Sequence, residues 1–410
     1  MGHQLARHQL KQGIDMPRLA IAEKVASDMK SGSWIREMFE KGRHLKAEFG
    51  ADNVHDLSLG NPNGAPPEAF FQALKAVAAE RRPALHRYMP NVGFDETRAA
   101  VAKFVTKEYR LEVEPAAVVL TSGAAGGMNV VMRTICNPGD EVILLAPYFP
   151  EYKFYVEQVG GKVVLVQTDD EFQPDLDVIE AAITDRTRAI IVNTPNNPTG
   201  VVYTSQKCKA LGKLLAKYDG DERPIYIATD DPYRRIIYEL DWCPTPASHY
   251  HRTIIVSSYS KDLSIPGERA GYIVVPKSVP NRDMILGAMT MLNRTLGYVN
   301  MPAFMQRVVA RCAHALCDVG FYKTNRDLLC HALLEYGYEL RMPGGALYAF
   351  PRTPIDDDVE FVDVLMKHKI LAVPGRGFGR AGHMRVSFCV DRETIKRALP
   401  GFKAAIDEAR

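Results

Sequence analysis

The stretch TIIVSSYSKDLSIPGERAGYIVV, residues 253–275, opens on a β-branched run, breaks into a Ser-rich turn and returns to an apolar run at 270–275. That change of pattern predicts a strand over 253–256 that delivers Lys261 to a loop, with a further strand after it. An amine held there can form a Schiff base with an aldehyde once burial or neighbouring cations lower its pKa. Ser258, Ser260 and Arg269 stand within eight residues of Lys261. Hydroxyl donors and a forked guanidinium suit a dianionic phosphate. A lone lysine in a polar loop is ordinarily a surface residue, so its meaning depends on what surrounds it.

Upstream, further short apolar runs at 117–121, 141–145, 162–167, 188–193 and 225–229 alternate with helical or turn segments. With the two runs at 253–256 and 270–275 they make seven. The alternation predicts an α/β fold: a seven-stranded, mostly parallel, doubly wound sheet that binds ligands beyond the carboxyl ends of its strands. The residues after each run are the informative ones. TSGAAGG (121–127) leads into an apolar helical pattern, and the first N–H groups of a helix attract an anion. APYFPEY (146–152) puts Tyr148 and Phe149 where an aromatic face can stack on a flat ring. NTPNNPTG (193–200) supplies asparagine amides, and ATDDPYRR (228–235) supplies two carboxylates and Tyr233.

Outside this region, residues 18–49 carry apolar positions at helical spacing, interrupted at Ser31, Gly32 and Ser33, which predicts two helices with Ser33 capping the second. A Gly, Asn and Pro cluster at 56–67 forms a loop, 67–81 a helix, and 86–104 a loop with Tyr88 followed by a helix. Residues 293–316 read as a polar loop and then one long amphipathic helix, and the last hundred residues as short strands with helices at 358–368 and 392–408. The expected division is an N-terminal helical segment (1–55) belonging to a smaller, discontinuous α+β domain, a large ligand-binding domain (56–300) and the rest of the small domain (301–410).

At 410 residues, with a net charge of +2 and 24% charged residues, the composition is that of a globular protein long enough for two domains. No basic run points to nucleic acid, and no apolar run approaches a membrane span or the core of a signal peptide. The seven cysteines are scattered and never spaced as CxxC, which predicts free thiols, no metal site and a cytoplasmic location.

One ligand satisfies these strand ends together. Pyridoxal 5′-phosphate has an aldehyde for Lys261, a phosphate for the 122–125 turn with Ser258 and Arg269, a ring face, a phenolic oxygen, and a pyridine nitrogen for Asp230. A carboxylate against that nitrogen keeps it protonated, and the ring then withdraws electrons from the substrate's Cα. Lys261, once released, can carry the proton of a 1,3-shift.

With these motifs in order, the sequence resembles the class I (fold-type I) pyridoxal-phosphate aminotransferases, of the aspartate aminotransferase-like branch, over roughly 33–410. The resemblance implies that SxSKxxxxPGxRxGY carries the Schiff-base Lys261 with Ser258 and Arg269 on the phosphate. It implies that Asn197 of NNPTG donates to the phenolic oxygen, and that in DDPY Asp230 meets the pyridine nitrogen and Tyr233 bonds the phenolic oxygen. Phe149 becomes the stacking ring, and the amides of Gly123, Ala124 and Ala125 hold phosphate. Tyr88 resembles a tyrosine that crosses a dimer interface, Gly60 a loop glycine over the substrate, and Arg385 of HMRVSF the arginine that grips the substrate carboxylate. The implied partners are an amino acid and a 2-oxo acid, in a homodimer with shared sites. Aspartate or glutamate is favoured as substrate, and the distal carboxylate then needs a second cation, for which Arg294 and Arg376 are the candidates. Aromatic or neutral amino acids, or lyase or decarboxylase chemistry with the same cofactor, are the alternative.

Overall fold

The computed structural model describes residues 20–30 and 34–410. The strands in chain order are β1 (His55–Asp56), β2 (Val118–Ser122), β3 (Glu141–Ala146), β4 (Lys162–Gln167), β5 (Thr187–Val192), β6 (Tyr226–Asp230), β7 (Thr253–Ser258), β8 (Ala270–Val274), β9 (Tyr348–Ala349), β10 (Ile370–Leu371), β11 (Val373–Pro374) and β12 (Met384–Ser387). The large sheet has seven strands in the order β2-β8-β7-β6-β5-β3-β4. Only β8 is reversed; the other six strands point the same way. The sheet is therefore the mostly parallel, doubly wound one expected, and each strand lies within two residues of its expected span. The carboxyl ends of β2, β3, β5, β6 and β7 and the amino end of β8 share one edge.

Both faces of this sheet are buried, which is why its strands read as unbroken apolar runs rather than alternating ones. Val119, Ile254, Val256 and Ile273 pack on one face with Met128, Val131 and Met289 from the helices Gly123–Ile135 and Arg282–Thr295. Val118, Leu120, Ile255 and Val274 pack on the other with Val101, Val105, Val308 and Val309 from Asp95–Tyr109 and Ala303–Cys312. The smaller part carries a three-stranded antiparallel sheet, β11-β12-β9, and a parallel pair in which β1 joins β10. The helix Val319–Tyr336 packs there against the helix Arg392–Ala409.

Two expectations need correction. The polar loop expected at the start of 293–316 is present, at 296–302, but it begins three residues late and the helix after it is short rather than long. Asn293 and Arg294 end the helix Arg282–Thr295, and a separate ten-residue helix, Ala303–Cys312, follows. Gly297 and Val299 have left-handed φ angles of 90° and 59°, and Pro302 stands at the next N-cap, so the backbone cannot run through. Lys261 does not sit in an open loop either. Ser258 caps a single helical turn, Tyr259–Asp262, and accepts a bond from the Ser260 amide, so that Lys261 is fixed by regular backbone. The N-terminal helices are Glu23–Lys30 and Trp34–Phe49. The expected cap Ser33 lies outside the described residues. No helix among the described residues is long and apolar enough to cross a membrane.

Candidate active site

At the shared strand edge lies a cavity of about 270 Å³. It is lined by Lys261, Ser258, Asp230, Tyr233, Asn197, Phe149, Ala124, Ala125, Arg269, Gly60 and Arg385, so one space gathers candidates that span more than three hundred residues of sequence. Gly123 does not line the cavity but directly precedes Ala124, which does. The φ of +67° at Gly123 favours glycine, and the Arg269 Nη2 would lie 2.6 Å from a β-carbon there. The Gly123 amide donates to the Arg269 carbonyl at 2.9 Å, which pins Arg269 across the amino end of the helix Gly123–Ile135. A guanidinium and the free amides of a helix terminus in one place form an anion site.

Lys261 Nζ donates to the Gly60 carbonyl at 2.7 Å. Burial brings its pKa down to about 8; Cys389 opposes this, and Arg385 and Arg269 add to it. Near neutrality the amine is thus a far better nucleophile than an exposed lysine. Asp230 ends β6 with one oxygen, Oδ2, accepting from the Tyr152 hydroxyl at 2.7 Å. Its other oxygen, Oδ1, is buried with no partner among the described residues. Burial lifts its carboxyl to about 7, against the Tyr152 bond and helped by the Asp231 charge. An unpartnered buried carboxylate oxygen calls for a cation or donor. Arg385, 2% exposed, donates through Nη2 to the Ser58 carbonyl at 2.6 Å and through Nη1 to Asn197 Oδ1 at 3.1 Å. Its Nε is buried and unpartnered. With its oxygen taken, the Asn197 amide keeps its NH₂ as a free donor. The Tyr233 hydroxyl lies 2.9 Å from that of Tyr348.

Besides Gly123, three candidates lie away from the cavity. Tyr88 is 90% exposed, in a separate surface groove with His86, Met89 and Asn300. Arg294 is exposed in the last turn of its helix. Arg376 is bound by Asp358, with Nε 2.7 Å from Oδ1 and its amide 2.7 Å from Oδ2, and by Asp357 at 2.6 Å. Tyr152 and Tyr348, aromatic residues that the sequence places around the site, line the cavity, and so do Tyr155 and Asn193, to which the sequence assigns no role. Tyr152 had a signal: it stands three positions after Phe149 at a helix start, which puts the two on one face. Asn193 Nδ2 donates to the Asp230 carbonyl at 2.5 Å, a contact across two strand ends that sequence spacing does not reveal.

The donor set fits pyridoxal 5′-phosphate. A buried amine of lowered pKa suits the aldehyde, the Gly123–Arg269 cradle suits the phosphate, and the orphaned Asp230 Oδ1 suits a protonated ring nitrogen.

Comparison with known proteins agrees. Residues 52–402 match the family described as aminotransferase class I and II. The chain is 33% identical to a probable aspartate/prephenate aminotransferase of Thermus aquaticus, over 85% of this chain and 91% of that one. Among solved structures, an amino transferase from Eubacterium rectale superposes with a TM-score of 0.92 at 37% identity, covering 96% of this chain and all (100%) of the other. The aspartate aminotransferase from Thermus thermophilus with maleate gives 0.84 at 27%, covering 95% and 100%. The chain belongs to the class I and II aminotransferases. It is a pyridoxal-phosphate-dependent enzyme that moves an amino group between an amino acid and a 2-oxo acid.

Proposed function

We propose that the amino donor is a dicarboxylic amino acid, aspartate or glutamate, handled in a ping-pong cycle in which amino acid and oxo acid use the same cavity in turn. The observation that carries amino-acid binding at this cavity is Arg385, a buried guanidinium with an unpartnered Nε, lining one cavity with Lys261 and Asp230; the acidic side chain rests on the relatives' names. Arg385 takes the substrate α-carboxylate through charge-assisted bonds. Asn197 holds the cofactor's phenolic oxygen by its free NH₂, and Tyr233 donates to the same oxygen. Asp230 Oδ1 holds the proton on the ring nitrogen, and Phe149 packs on the ring. Gly123, Ala124 and Ala125, with Ser258 and Arg269, hold the phosphate. When bound, the cofactor supplies an electron sink that acidifies the substrate's Cα. Lys261 Nζ, poised near pH 8, takes that proton. Gly60 closes over the substrate.

The relatives' names, which include aspartate aminotransferase and a structure with the four-carbon dicarboxylate maleate, support the acidic substrate. A second reading rests on the cavity wall. Its guanidinium groups are Arg269 and Arg385, both already engaged, beside Phe149, Tyr152, Tyr155 and Tyr348. Such a lining accepts aromatic or neutral side chains. Arg294 reads a distal carboxylate only if a second copy of the chain is placed against this one, and the same holds for Tyr88 and the phosphate. We therefore assign a homodimer with shared sites. A cytoplasmic location is supported by seven cysteines that are all free and buried. For the domain division, we place the break after the helix Ala303–Cys312 rather than before it, because that helix shares the core of β2 and β8.

The test is a half-reaction screen: single amino acids are added to cofactor-bound enzyme, and loss of its visible absorbance band is followed. Fast loss with aspartate and glutamate supports the leading reading. Fast loss with aromatic or neutral donors alone replaces it with the second.

A further inference from the structure

Tyr348 stands in β9, which pairs antiparallel with the Arg385 strand: Ser387 lies opposite Tyr348 and Val386 opposite Ala349. Its side chain is 2% exposed, and three separate contacts meet on it. Its hydroxyl lies 2.9 Å from that of Tyr233, and neither hydroxyl has another partner among the described residues. Its ring face lies under the Arg385 guanidinium, 4.6 Å from the centroid. Its hydroxyl also lies against the backbone of Gly60, where a β-carbon would come within 1.7 Å of it. The Gly60 carbonyl is in turn the acceptor for Lys261 Nζ.

We infer that Tyr348 is a positioning residue of the transamination: its hydroxyl holds the Tyr233 hydroxyl as a donor into the cavity, and its ring face holds the Arg385 guanidinium ready for a carboxylate. The inference rests on the roles proposed above for Tyr233 and Arg385. A phenol carries one proton. If Tyr233 gives its proton into the cavity, its oxygen accepts from Tyr348, the one hydroxyl beside it. Hydrogen bonds in such a chain polarise one another, so the Tyr348 bond makes Tyr233 a stronger donor. Burial raises the pKa of both phenols, so both keep their protons across the working range and the chain stays intact. The ring face acts separately, through the attraction of a cation to a π-system. One side chain thus serves the cofactor end and the carboxylate end by two parts of its structure, and substitution can separate them.

Tyr348→Phe keeps the ring and removes the hydroxyl, whereas Tyr348→Leu removes both. The readout is the pH midpoint of the bound cofactor's visible absorbance, set beside KM for the amino acid. A donor to the phenolic oxygen favours the deprotonated form, so weakening it moves the midpoint up. Tyr233→Phe should raise the midpoint most, and Tyr348→Phe by a smaller amount, about half a unit by the usual scale of such shifts. Tyr348→Phe in the Tyr233→Phe background should add nothing, because the hydroxyl acts through Tyr233. KM should stay within about twofold in Tyr348→Phe and rise roughly threefold to thirtyfold in Tyr348→Leu, as expected for losing a desolvated cation–π contact. The inference is overturned if Tyr348→Phe leaves the midpoint in place while Tyr233→Phe moves it, if the two shifts simply add, or if Tyr348→Phe raises KM as much as Tyr348→Leu. If Tyr233→Phe itself leaves the midpoint unmoved, the role of Tyr233 falls first and the inference falls with it. Tyr348→Phe preserves the packing volume, so the midpoint decides even where Tyr348→Leu does not fold.

Discussion

Along the cavity wall formed by the large sheet, each polar group sits within a few residues of the strand that places it, whereas the facing wall is assembled from segments far apart in the chain. Gly123 follows β2 directly, Asp230 ends β6, and Lys261 stands three residues beyond the end of β7. On the facing wall, Arg385 is tied to the Ser58 carbonyl across 327 positions of sequence, and Tyr348 reaches over to Tyr233 of the sheet wall across 115. The loop after β1 is laced to β12 and its continuation: Ser387 donates from its amide to the Leu57 carbonyl at 2.8 Å, and Asn63 to that of Cys389 at 3.0 Å. The sheet wall is built into its strands and holds the chemistry. The facing wall exists only once both ends of the chain have packed, and it holds the substrate.

Substitutions should respect that division. The largest effect is expected on the sheet wall: Lys261→Ala should lower turnover by at least the ~10²–10⁴-fold that a positioned proton-transfer group supplies, with the thermal unfolding profile of the apoprotein little changed. Steady-state kinetics beside a melting curve checks both halves. Next comes the facing wall. Arg385→Gln should lower kcat/KM by roughly 30- to 1,000-fold, about 2–4 kcal/mol, with most of the loss in KM for amino acid and oxo acid alike. A loss confined to kcat would put Arg385 on the chemical side and erase the distinction.

Asp230→Asn should act on stability in the reverse sense to its effect on cofactor binding. The carboxyl of the apoprotein is raised from 3.8 to about 7, so between those values the folded chain holds more protons than the unfolded one. Stability is therefore lost as pH rises through that window, and the cost is complete above about 7. The amide carries no charge and escapes the cost. Apoprotein of the variant should melt about 2 °C or more above the parent at pH 8 and level with it at pH 4, while its cofactor affinity falls; calorimetry at the two pH values with a cofactor titration measures this. The smallest kinetic effect is expected outside both walls. Arg376→Ala should change kcat and KM by less than about twofold, but cost roughly 1–3 kcal/mol by leaving the fully buried Asp358 carboxylate short of a partner. Urea unfolding separates that loss from the kinetics.

The same contrast explains what could be read from the sequence. Lys261, Asp230, Asn197 and the 122–125 turn follow apolar runs, and local pattern carries strand, turn and functional group together. The sheet itself was legible because strands buried on both faces are apolar throughout. The Tyr233–Tyr348 and Arg385–Ser58 contacts were not legible, since no local pattern encodes which distant segments meet. Arg376 reads as a free cation in a Gly-rich turn, and only the fold reveals that Asp357 and Asp358 claim it. The loop before the helix Ala303–Cys312 is legible from its polar residues with Gly297 and Pro302, whereas the end of that helix at Cys312 is not, because apolar residues continue at helical spacing beyond it.

The central claim is that Lys261 is the covalent anchor of the cofactor in a cavity its own strand edge builds. Borohydride reduction of the cofactor-bound enzyme, followed by proteolysis and mass spectrometry, tests it most directly. The account predicts one phosphopyridoxyl group per chain, on the peptide that contains Lys261. A label on another lysine, or none despite bound cofactor, would contradict it.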